Sequence, residues 1–193
     1  MLIRRVVLGA GAGALVGLVV GGVWGRIFMS ILAGVNPEDH GTRTDDGFTM
    51  GQLTVGGTVN LATAALIIGA IGGLVFLALR GLRLGPAWFR TASLALGAVL
   101  VIGSMLVHSD GIDFTRLEPV GLAVAFTLSM PLLFALGISW LGDRWLGDGA
   151  TFWARLPQSL GWIARGLLAL VGIVAGVDLA TTLGDIFDGS SVG

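Results

Sequence analysis

The chain has 193 residues, of which 54% are apolar and 12% charged, with a formal net charge of -1 and a mean hydropathy of +0.91. A typical soluble domain carries about 25% charged residues, so this chain lacks the polar surface to cover itself in water. Its side chains must face lipid or other helices. There is no cysteine, which removes disulfides, thiolate metal sites and cysteine nucleophiles. All eleven basic residues are arginine, and they form no cluster of the size that grips a phosphate backbone, so nucleic acid is not an expected partner.

In chain order, five apolar runs reach the roughly 20 residues that cross a hydrocarbon core: about 6–33, 54–79, 91–108, 119–141 and 159–182. The predicted fold is therefore an all-α polytopic transmembrane helix bundle, a single transmembrane domain over 1–193 with the lipid bilayer as its first partner. Arg4 and Arg5 ahead of the first run also suit a secretory signal. That run is longer than a signal's 7 to 15 apolar residues and no A-x-A site follows, so an uncleaved first span is expected.

The first span, "VVLGAGAGALVGLVVGGVWG", offers two readings. Gly9, Gly11 and Ala14 fit the glycine-rich turn that cradles a dinucleotide. That turn requires a strand, an amphipathic helix and an acid about 20 residues further on, whereas here apolar residues continue through Val23 and the residue at that distance is Ser30. The alternative is a small-residue ridge at Gly9, Gly13, Gly17, Gly21 and Gly25, which lets a neighbouring backbone approach closely in lipid. The ridge is the expected reading, with shorter versions at Gly69 and Gly73, at Gly121, Ala125 and Ser129, and at Gly172 and Gly176. Such faces serve a self-contained bundle and a homo-oligomer equally.

Counting arginines on alternate connections places Arg4, Arg5, Arg80, Arg83, Arg90, Arg144 and Arg155 on one side and Arg43 and Arg116 on the other. The positive-inside bias then predicts a cytoplasmic N-terminus and, with five spans, an external C-terminus, in a bacterial plasma membrane. Trp88, Trp140, Trp145, Trp153 and Trp162 fall near the same cytoplasmic boundary, where amphipathic rings suit the headgroup layer.

The two outer connections share a pattern. "DGFTMGQLTVG" and "DGIDFTRLEPVG" each run through Asp-Gly, Phe-Thr, Leu and Val-Gly. Spans one and two against three and four would then form a parallel duplication of helical hairpins with span five added; chance similarity in a glycine-rich chain explains the pattern as well. Asp45, Asp46, Phe48, Asp110, Asp113 and Phe114 mark the expected outer cap, a surface for a membrane or extracytoplasmic protein partner. On "GRIFMSILAG", "DDGFTMGQLTVGGTVNL" and "GIDFTRLEP" the chain resembles uncharacterised multi-pass membrane proteins of actinobacteria. That resemblance implies location and topology and carries no activity.

Few polar residues enter the spans. Arg26, near the outer end of span one, and Asp178, in the outer third of span five, are expected to pair, because an ionisable group at that depth needs a partner, water or a route to the surface. Asn60, Thr58 and Thr63 suit interhelical hydrogen bonds. Pro131 predicts a kink in span four. His40 and His108 lie among outer acids without the spacing of a metal motif, so no metal and no cofactor are expected. No nucleophile stands beside a base. The sequence favours a structural or accessory membrane protein, with a small-solute or ion transporter as the second reading and an intramembrane enzyme as the third.

Overall fold

In the computed structural model, residues 2–41, 54–109, 114, 119–147, 153 and 157–190 are described. They form an all-α, five-span transmembrane helix bundle, and there is no strand among them. The first span runs without a break from Leu2 to Val35 in three parts: α1 (Leu2–Gly17), a π-helical segment (Leu18–Trp24) and α2 (Gly25–Val35). The others are α3 (Val55–Leu79), α4 (Ala87–Leu106), α5 (Val120–Leu146) and α6 (Gln158–Ser190).

Local chemistry fixes the ends. Thr54 caps α3, its hydroxyl accepting from Gly57 N at 3.1 Å, which satisfies one of the unpaired amides of the first turn. Pro86 and Pro119 stand just before α4 and α5, where a missing N–H costs nothing and the preceding chain is held extended. Gly147 ends α5 at φ +57°, a conformation open to glycine and costly for a side chain. The first span closes on Asn36, whose backbone N and Nδ2 both donate to Leu32 O at 3.0 Å, followed by a 3₁₀ turn at Pro37–Asp39.

The expected span boundaries differ most at the last helix, which continues to Ser190 rather than ending near 182. The reason is spacing: Leu179, Leu183 and Ile186 recur at three and four residues and join one apolar cluster, so Asp178, Asp185 and Asp188 ride on the other side of a helix already held by packing.

The tightest pairing is between α1 and α3, which run antiparallel with small residues in register. A Cβ at Gly13 would stand 2.6 Å from both Gly73 N and Cα and overlap Gly69 O; one at Gly17 would stand 2.7 Å from Gly69 Cα and overlap Ala65 O. At Gly21 it would meet Ala65 Cβ at 2.8 Å, and at Gly9 it would reach Gly73 O at 3.4 Å. Backbone lies on backbone over these turns, and only hydrogen at Cα permits it. Gly25 has ordinary room, with Met130 Cε at 3.6 Å, as does Gly176, with Leu100 Cδ2 at 3.5 Å; a Cβ at Gly172 would meet nothing within 4 Å. In α6 the small residues therefore face loose packing or open space, because that helix lies on α4 at the edge of the bundle.

Two apolar clusters make the core. One joins Ala12, Phe76, Ile138 and Leu146 toward the end where α1 starts. The other joins Phe28, Leu32, Val107, Phe114, Ala123, Leu179 and Ile186 at the opposite end.

Candidate functional site

At the second end, three aromatic rings tie the first span to α5. Phe28 stacks on Phe126 with centroids 4.8 Å apart, and Trp24 lies tilted against the same ring at 5.5 Å. Trp24 Nε1 donates to Ser129 Oγ at 2.8 Å, and that hydroxyl donates onward to Phe126 O at 2.6 Å. The indole thus keeps a partner inside apolar surroundings. Ser129, expected only as part of a small-residue face, is an acceptor between helices.

Of the expected outer cap, Asp45, Asp46, Phe48, Asp110 and Asp113 lie outside the described residues. Phe114 is described and is only 7% exposed, packed into the apolar cluster. His40, beside the acids of this end, has Nε2 2.9 Å from Ala33 O; with its proton on that nitrogen it closes the end of the first span. Among the described residues there is no group of three or more metal-ligating side chains.

The expected Arg26–Asp178 pair does not form. The ion pairs among the described residues join Arg80 and Arg83 to Asp143. Asp178 is exposed on α6, whereas Arg26 is half-buried on α2, and α6 packs chiefly on α4. The shared depth of the two residues along the sequence carried no information about which way α6 turns its face.

The charged centre lies instead at the end where α1 starts. Asp143 Oδ1 accepts from Arg80 Nε at 3.1 Å and from Arg83 Nη2 at 2.7 Å. Arg80 Nη2 also donates to Gly147 O. The Arg83 guanidinium lies 4.7 Å from the centroid of Phe76, and its side chain is only 6% exposed. Arg165 Nε donates to Leu82 O at 3.0 Å, fastening α6 to the α3–α4 turn, and Trp153 Nε1 donates to Ala78 O at 2.8 Å. Two guanidiniums on one carboxylate leave local positive charge in excess. In the sequence Arg80 and Arg83 are loop charges and Asp143 has no evident role, its only signal being a lone acid one turn before a helix-ending glycine.

The interior between the two ends is apolar. Asn36 and Ser139 are the buried polar residues among those described, and Asn36 sits at a helix end. Asn60 and Thr63 face outward, and the hydroxyls of Thr58 and Thr63 bond back to Thr54 O and Val59 O in their own helix. On the outer side of the α1–α5 contact, an apolar groove of about 470 Å³ opens toward lipid, lined along the first span by Leu15, Val19, Val23 and Ile27 and on α5 by Leu133 and Trp140 among others. Compared with known proteins, the chain matches no family model, no curated protein and no solved structure.

Proposed function

We propose that this membrane helix bundle is a structural or accessory protein rather than a conduit, with its acid-rich end outside the cell and the two connections there forming a cap for a protein partner. One observation carries the reading: between the aromatic cluster and the Asp143 centre the fully buried residues are apolar save Ser139, and the half-buried Arg26 lies at the aromatic end, between Trp24 and Phe28. A transport path needs polar groups along the route, and Asn60, Thr63 and Asp178, the residues best placed to supply them, are turned outward. Orientation is supported by charge: Arg4, Arg5, Arg80, Arg83, Arg90, Arg144 and Arg165 all belong to the end where α1 starts, the distribution that retains a segment in the cytoplasm. The burial of Phe114 supports a cap held against the bundle. The paired contacts of α1 with α3 and of α4 with α5 suit the duplicated hairpin read from the sequence.

Because the chain contains no cysteine, the test is direct. Single cysteines at Ala12, Ala123, Ala135 and Ile138 in membranes are treated with a membrane-impermeant thiol reagent. We expect no labelling at any of them; labelling at several along the length would establish a water-filled path and overturn the reading.

A further inference from the structure

We propose that the groove between the first span and α5 is a phospholipid site, holding one acyl chain of an anionic lipid whose phosphate is bound by Arg144. The groove lies along the first span from Leu15 to Ile27, about 18 Å at a helical rise of about 1.5 Å per residue. The groove straddles the middle of the Leu2–Val35 span, and half of a hydrocarbon core of about 30 Å is about 15 Å, so a chain from the leaflet at the arginine-rich end occupies the part of the groove nearer Trp140. Its lining is apolar throughout, and the π-helical turns of Leu18–Trp24 form its wall on the first span, where a wider helical turn sets the side chains of Val19 and Val23 apart from the α-helical register. Both valines are more than half exposed, as is Trp140 at the end nearer the arginines.

The headgroup end is set by α5. Arg144 follows Trp140 by four residues and so lies one turn further along the same helical face, toward the arginine-rich boundary. Trp145 beside it packs near Gly11. Arg144 is exposed and takes no part in the two ion pairs at Asp143. The neighbouring carboxylate does not repel an anion, because Asp143 is held by both Arg80 and Arg83. A phosphate oxygen at Arg144 therefore enters a field of net positive sign, with indole N–H groups nearby of the kind that favour the headgroup layer. Basic residues where helices meet the cytoplasmic leaflet commonly hold anionic headgroups.

The inference rests on membrane insertion with the arginine-rich end at the cytoplasmic leaflet, as proposed above, and stands whether or not the bundle transports. The full chain, purified in a mild detergent, is titrated with phosphatidylglycerol and with phosphatidylcholine of the same acyl chains, and retained lipid is read by native mass spectrometry. We expect preference for phosphatidylglycerol, reduced about five-fold in Arg144→Gln, the factor matching about 1 kcal/mol for one basic residue at an anionic surface. Val19→Trp fills the groove from its lipid-facing side and lowers retention of both lipids, with Val23→Trp as the second filling variant should the first fail to fold. Inorganic phosphate in excess leaves the bound lipid in place. Unchanged selectivity in Arg144→Gln, or unchanged retention in the folded groove-filling variant, would overturn the proposal. Displacement by phosphate would show a free-anion site that does not use the groove.

Discussion

Substituting Gly13 by alanine tests the closest contact in the bundle, and Gly97 provides a matched control. Both lie inside helices, so each gains about 1 kcal/mol of helix propensity on acquiring a methyl group. They differ in what that methyl meets. At Gly97 there is nothing within 4 Å, whereas at Gly13 it stands 2.6 Å from Gly73 Cα and N and overlaps Gly69 O. The obstacle is backbone, which cannot rotate aside, so α1 and α3 must separate by about 1 Å to restore ordinary contact. A gap of 0.5–1 Å forfeits roughly a quarter to a half of each dispersion well along the face, and overpacking of this kind costs about 1–3 kcal/mol or more. Gly13→Ala should therefore lose about 2 kcal/mol net while Gly97→Ala is neutral or gains up to about 1 kcal/mol. At roughly 2–4 °C per kcal/mol for a chain of this size, the two variants should melt about 4–12 °C apart in detergent. Variants that melt together would show that the α1–α3 backbones are not in contact.

Replacing Asp143 with Asn removes the carboxylate shared by Arg80 and Arg83. Because Asp143 is 41% exposed while Arg83 is nearly buried, the loss should be about 1–2 kcal/mol, below that of a fully buried pair, as read by thermal unfolding; no change would mean that the guanidiniums are solvated. Trp24→Phe with Ser129→Ala in a double-mutant cycle should give a coupling of about 0.6–1 kcal/mol, the range of interhelical hydrogen bonds in membranes, and zero coupling would remove that bond. Arg26→Ala and Asp178→Ala should add within about 0.5 kcal/mol, as sites without a shared contact do, whereas a larger coupling would restore the pairing expected from sequence. Reporter fusions after residues 85 and 193 should report opposite sides of the membrane; the same side would contradict a five-span topology with the arginine-rich end inside.

The spans were legible because membrane insertion is dictated by local composition. Lipid leaves no water for backbone groups, so any run of about 20 apolar residues must satisfy its own N–H and C=O groups as a helix, and the Leu2–Val35 run does so whatever its neighbours do. The ends were less legible. The first span departs from α geometry over Leu18–Trp24, and nothing in "LVVGGVW" separates a π-helical turn from an α-helical one, since both keep the backbone bonded internally.

Contacts between spans depend on rotation, which hydropathy does not encode. Where small residues recur on both partners the rotation can be inferred, since Gly9, Gly13, Gly17 and Gly21 find Gly73, Gly69 and Ala65 at the same four-residue spacing. For α6 that inference fails: Gly172 and Gly176 share the spacing but meet open space and an ordinary leucine contact. The difference lies in the partner, because α4 presents Leu100 where α3 presents a second glycine. A small-residue ridge draws a backbone close only if the facing helix is also small at that level. The same reasoning separates the charges. Arg26 and Asp178 were matched by depth and failed on rotation, whereas Asp143, Arg80 and Arg83 meet at the boundary, where long arginine side chains can reach across from the α3–α4 turn to the last turn of α5 and rotation matters less. In this bundle the polar contacts between helices are strongest where side chains are long enough to reach past the helix faces, and the close backbone contacts occur where there are no side chains at all.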